Sequence, residues 1–78
     1  MAAKWRVNLD GDEWQTFLPD IFKPGEEPGT SKITCDAAEV LGHFVLLTMH
    51  GISLYIPAHK VRVMFSFEGK APAGFLPD

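Results

Sequence analysis

The sequence holds a single cysteine, Cys35. A disulfide within the chain is therefore excluded, and a lone thiol fits a reducing cytoplasm better than a secreted scaffold. Long apolar runs are missing as well. The longest, Phe44 to Leu47, falls far short of the roughly 20 residues that a membrane-spanning helix needs. The opening stretch "MAAKWRVNLDGDE" carries no apolar h-region, so no signal peptide is expected. Positive charge is in deficit: seven Lys and Arg against ten Asp and Glu give a net charge of −3 and a pI of about 5.5. That balance disfavours a broad phosphate-gripping face but leaves room for a small basic patch. Catalytic signatures are lacking too. There is no G-x-S-x-G, no H-E-x-x-H and no Gly-rich phosphate loop. No enzyme, cofactor or small-molecule substrate is expected.

What is present is a short chain with an ordinary apolar content. Its 78 residues, 46% hydrophobic, make one domain, 1–78. A domain of this size buries only about 60–65% of the surface its unfolded chain exposes. Its core barely offsets the ordering entropy of roughly 1.5 kcal/mol per residue. Without a disulfide, the expected help is self-association or a protein partner.

Hydrophobic alternation dominates the pattern. Trp5, Val7 and Leu9 alternate with Lys4, Arg6 and Asn8, the period of a half-buried strand. Asp10-Gly11 suits a type I′ turn, so the spacing predicts a hairpin, 4–9 paired with 12–18. The rival is a short helix from Asp12, with Asp12 as its N-cap. Residues 19–31 hold Pro19, Pro24, Pro28, Gly25 and Gly29 and predict a Pro/Gly-rich loop, with Ile21 and Phe22 pinning it to the core. From Lys32 to Met49 the residues suggest one long strand bent at Gly42, where a mid-strand glycine marks a bulge or kink. In that strand Ile33, Cys35 and Ala37 share one face, and Phe44–Met49 is covered on both sides. His50-Gly51 makes a turn into a strand carrying Ile52, Leu54 and Ile56. Pro57 to Lys60 form a corner. A last strand follows, with Val61, Val63, Phe65 and Phe67 on one face and Arg62, Met64 and Ser66 on the other. Residues 69–78 predict an irregular tail. The sum is all-β: a small five- to six-stranded barrel with an N-terminal hairpin and a Pro-rich loop.

The stretch "FVLLTMHGISLYIPAHKVRVMFSF" resembles part of the Sm-like family of small β-barrels over about a third of the chain. Phe44 to Thr48 resemble that family's bent apolar strand, His59 falls near its corner histidine, and Val61 to Phe65 resemble its closing strand. The resemblance implies an SH3-like or Sm-like barrel and, as one functional outcome, an RNA-binding ring. His59, Lys60 and Arg62 would then line the RNA site.

Other constellations have bland explanations beside the functional ones. His43, His50, His59, Cys35 and Asp36 lack the close spacing of a zinc site, so no metal is expected and the histidines are taken as turn or surface residues. Cys35 alternates with Ile33 and Ala37 and packs as a small hydrophobe; Asp36 beside it opposes thiolate formation. Tyr55, Trp5 and Trp14 could stack on bases near Lys60, Arg62 and Lys70. With acids in excess, the tryptophans are better placed in the core. Residues Val61, Val63, Met64, Phe65 and Phe67 form the candidate protein-contact edge, because an apolar edge strand with little charge invites another strand. The expectation is a non-catalytic cytoplasmic barrel that acts by protein contact or self-assembly. The RNA-binding ring, through His59, Lys60, Arg62 and Tyr55, is the alternative.

Overall fold

The structure, a computed structural model, describes residues 4–68. The tail at 69–78, with Lys70, lies outside the described residues.

The described residues form a small all-β fold of seven strands, rather than the expected five or six, in two antiparallel sheets. These are β1 (Trp5–Asp10), β2 (Lys23–Pro24), β3 (Thr30–Cys35), β4 (Ala37–Leu41), β5 (Phe44–Met49), β6 (Ile52–Pro57) and β7 (Val61–Ser66). A single-turn helix α1 (Glu13–Phe17) follows β1, and a 3-10 turn, Ala58–Lys60, precedes β7. One sheet has the order β2-β3-β1-β7 and the other β4-β5-β6. The N-terminal alternation holds throughout β1: Trp5, Val7 and Leu9 are buried and their neighbours half-exposed.

The expected hairpin of 4–9 with 12–18 does not form; the helical rival does. The reason lies in pairing. Both edges of β1 are filled by distant strands, Trp5 opposite Cys35 on one side and Ser66 on the other. That leaves residues 12–18 no edge of β1 to join. They close one turn instead. The Trp14 Nε1–H donates to the Asp10 carbonyl at 2.9 Å. Gln15 Nε2 donates to the Thr30 carbonyl at 3.1 Å and to Ser31 Oγ at 3.0 Å. Asp12 holds the N-cap position without a side-chain capping bond. Pro19 limits extension, because the residue before a proline is pushed out of the helical region.

The Pro/Gly segment is more ordered than its composition suggests. Phe22 is buried in the core, and its ring lies 5.6 Å from that of Trp14. Lys23 and Pro24 pair with Lys32 and Ser31 as β2. The segment folds back through Gly25 N–H to the Thr30 carbonyl at 3.0 Å, and Gly11 N–H reaches the Gly29 carbonyl at 2.9 Å.

The long strand predicted from 32 to 49 is in fact two antiparallel strands and the end of a third. Its sharp change of direction is at Asp36, not at Gly42. Lys4 N–H donates to the Cys35 carbonyl at 3.0 Å, whereas the next residue, Asp36, donates its N–H to the Thr48 carbonyl at 2.9 Å. Adjacent residues thus hand the chain from the first sheet to the second. The extra residue also changes the phase: Ile33 and Cys35 are buried, then Ala38 rather than Ala37. Gly42 and His43 form the two-residue hairpin turn between Leu41 and Phe44, and Gly42 has φ +61°. That is the position where a II′ turn wants glycine. The β5 strand is central but covered on one face only. Val45, Leu47 and Met49 point into the core, while Phe44 remains about half exposed.

The core joins both sheets: Trp5, Val7 and Leu9 from β1, Ile33 and Cys35 from β3, and Val45, Leu47 and Met49 from β5, with Phe22, Ala38 and Ile56. Each fully buried Val, Leu, Ile or Phe contributes roughly 1.5–3 kcal/mol.

Candidate functional site

The corner and the last strand hold most of the sequence-derived candidates. Pro57 ends β6, and Ala58 N–H donates to the His43 carbonyl at 2.7 Å. This bond ties the corner to the β4–β5 turn. The 3-10 turn leaves His59 exposed and Lys60 half-buried. Tyr55 is 63% exposed on β6, opposite Leu46. Arg62 belongs to the other sheet, at the edge beside β1. Its Nη1 donates to Asp10 Oδ1 at 3.1 Å and its Nη2 to Glu27 Oε1 at 3.3 Å. Both ion pairs are exposed, so each contributes only about 0–1 kcal/mol. Their main effect is to direct the guanidinium toward carboxylates of the same chain.

Arg62 also marks a break in the ladder. Asn8 lies opposite Val63, and Leu9 lies opposite Val61. Arg62 is the extra residue of a β-bulge, and a bulge shifts the alternation by one. The expected face of Val61, Val63, Phe65 and Phe67 is therefore split. Val61 and Met64 pack against the core. Val63, Phe65 and Phe67 point outward and are 50%, 39% and 52% exposed. Phe65 and Phe67 meet edge to face, centroids 5.6 Å apart at 86°, a favoured aromatic geometry.

Beside this apolar stripe lies a polar strip that the sequence reading did not connect with it. Arg6 pairs with Phe65, and its guanidinium sits 5.5 Å from the centroid of the Phe67 ring. Asn8 pairs with Val63. Arg6 Nε and Asn8 Oδ1 are buried without a hydrogen-bond partner among the described residues. Buried polar atoms normally find partners, so this face has unmet bonding capacity. The signal in the sequence was the outward set Lys4, Arg6, Asn8. Its neighbours across the ladder could not be read from it.

A second apolar area was also missed. Leu41, Phe44 and Tyr55 are exposed on the outer face of the β4-β5-β6 sheet, with Leu46 between them. The apolar run at 44–47 suggests cover on both sides, but only the Val45 and Leu47 face meets the core.

The remaining candidates have structural roles. Trp5 is buried in the core and Trp14 packs against it. Cys35 is buried, and its pKa is raised to about 11 from 9.0 by burial and then by the negative charge of Asp36, partly offset by a hydrogen bond from the Ala37 backbone. Such a thiol is a poor nucleophile at neutral pH. Among the described residues, no three His, Cys, Asp or Glu side chains are grouped to hold a metal. No helix among them is long and apolar enough to cross a membrane. An open cleft of about 400 Å³ lies between α1 and the 24–30 segment, lined by Asp12, Gln15, Glu26 and Glu27. Two of its carboxylates are already engaged, Glu26 with Lys32 at 3.5 Å and Glu27 with Arg62.

No family model, curated protein or solved structure matches this chain.

Proposed function

We propose that this chain is a non-catalytic small β-barrel of the SH3-like or Sm-like type that acts by protein contact, through the β7 edge and the face beside it. The barrel reading is supported by the path of the chain. β7, β1 and β3 lie side by side, β3 turns at Asp36 into β4, and β4, β5 and β6 follow as a meander. A 3-10 turn then leads into β7. The setting is a reducing cytoplasm, where a single buried thiol is unremarkable.

One observation carries the functional reading. Val63 and Phe65 on β7, with Phe67 just past its end, form an exposed apolar stripe on the outermost strand of a sheet among the described residues. An edge strand presents unpaired N–H and C=O groups, and proteins usually guard it with proline, lysine or inward charge. Within Val61–Ser66 the only charge is Arg62, and it is bent toward Asp10 and Glu27. The edge is thus chemically suited to strand addition, with main-chain bonds for affinity and alternate side chains for specificity.

The test is retention of partner proteins by the immobilised chain. The double variant Val63→Lys with Phe65→Lys should keep its circular dichroism spectrum and lose the proteins that the wild type holds. An identical retained set would sink the reading.

A further inference from the structure

We propose that the partner strand is β7 of a second copy of this chain, paired antiparallel about a two-fold axis through Phe65. This inference rests on the interaction-module reading above and names its partner.

The backbone sets the phase. Phe67 N–H donates to the Lys4 carbonyl at 2.8 Å, which continues the β1–β7 ladder one residue past Ser66. In an antiparallel ladder the N–H and C=O of one residue point to the same side, and successive residues alternate. The groups of Phe67 and Phe65 therefore point to β1. Those of Met64 and Ser66 point away, toward the open edge. A strand added there bonds through Met64 and Ser66.

The side chains set the register. A two-fold axis through Phe65 puts Val63 of each copy opposite Phe67 of the other, Phe65 opposite Phe65, and Met64 opposite Ser66. All three exposed apolar residues of the stripe then face apolar partners. A shift by two residues would place Val63 opposite Phe65 and leave Phe67 facing Val61, which packs inward. Closed two-fold pairing of this kind is the commonest form of self-association. It joins two four-stranded sheets into one of eight strands and pairs both β7 edges that are open among the described residues.

Two measurements on the full chain test this. Sedimentation of the wild type should show a monomer–dimer equilibrium, and Val63→Lys should weaken it by about tenfold or more. Phe65→Cys should form a disulfide-linked dimer on mild oxidation. The two Phe65 positions form a non-hydrogen-bonded pair with Cα atoms about 4.5 Å apart, within disulfide reach. Wild type, whose only thiol is the buried Cys35, should not cross-link, and Val63→Cys alone should cross-link much more slowly. A mixture of Val63→Cys and Phe67→Cys chains should cross-link to each other, which checks the register without altering Phe65. A wild type that stays monomeric at its highest soluble concentration overturns the proposal, as does equal cross-linking of Val63→Cys and Phe65→Cys. If the monomer still loses other retained proteins on the Val63→Lys, Phe65→Lys change, self-pairing alone falls. If it retains none, the interaction-module reading falls with it.

Discussion

Val61 lies opposite Leu9, one residue further along than an unbroken register from Asn8 and Val63 would put it. That single skipped residue decides which side chains of the last strand reach the core. Met64 is turned inward and Val63 outward. Met64→Ser should therefore destabilise by about 1–2 kcal/mol through lost packing, while Val63→Ser should stay within about 0.5 kcal/mol. Urea unfolding of the two variants checks the phase. The opposite ranking would place the bulge elsewhere.

The change of phase at Asp36 makes a similar prediction on β4. Ala38 is buried and Ala37 exposed. Ala38→Leu should cost about 1–3 kcal/mol by overpacking, and Ala37→Leu should be nearly neutral. Equal effects would mean that the strand does not switch faces at Asp36.

His50 has φ +47° and Gly51 φ +76°, the two positive values of a type I′ turn between Met49 and Ile52. A histidine is strained there, because the left-handed region costs most L-residues roughly 1–2 kcal/mol. His50→Asn should raise the thermal midpoint, and His50→Val should lower it. An unchanged midpoint in both would contradict the turn geometry.

Cys35 should resist alkylation of the native protein at pH 8 and react once the chain is unfolded. Its folded pKa of about 11 exceeds the unfolded 9.0. Below pH 9 both states keep the proton, and the thiol contributes its full stability. Between about pH 9 and 11 the unfolded state loses the proton first, so stability falls as pH rises. Cys35→Ala should remove this part of the alkaline decline. Fast labelling of the native protein at pH 8 would refute the burial argument.

RNA binding can be settled directly. Arg62 is held by Asp10 and Glu27, and the chain carries a net charge of −3. No salt-dependent retention of single-stranded RNA is expected even at low ionic strength. Should binding occur, Lys60→Ala and Arg62→Ala would each flatten the logarithmic salt slope by roughly 0.7 per lost phosphate contact. A filter-binding titration across salt concentrations distinguishes the two.

The sequence by itself determined the strands that alternate cleanly. In β1, Trp5, Val7 and Leu9 could bury together only as one face of a strand, and in β6, Ile52, Leu54 and Ile56 lead to a proline that ends it. It also determined that Cys35 packs as an apolar side chain, since Ile33 shares its face. Three features depended on the tertiary structure. Glu13–Phe17 became a helix because β3 and β7, distant in sequence, occupy both edges of β1. The bend fell at Asp36 rather than Gly42, because it is set by which strand each backbone group pairs with, β1 for Cys35 and β5 for Asp36. The bulge at Arg62 has no signature of its own in a run of alternating residues. It exists only relative to Asn8 and Leu9 on the neighbouring strand, and it placed Val63, Phe65 and Phe67 on the surface. Local alternation records which residues share a face. Which face is buried, and where the alternation slips, is decided by partners far along the chain.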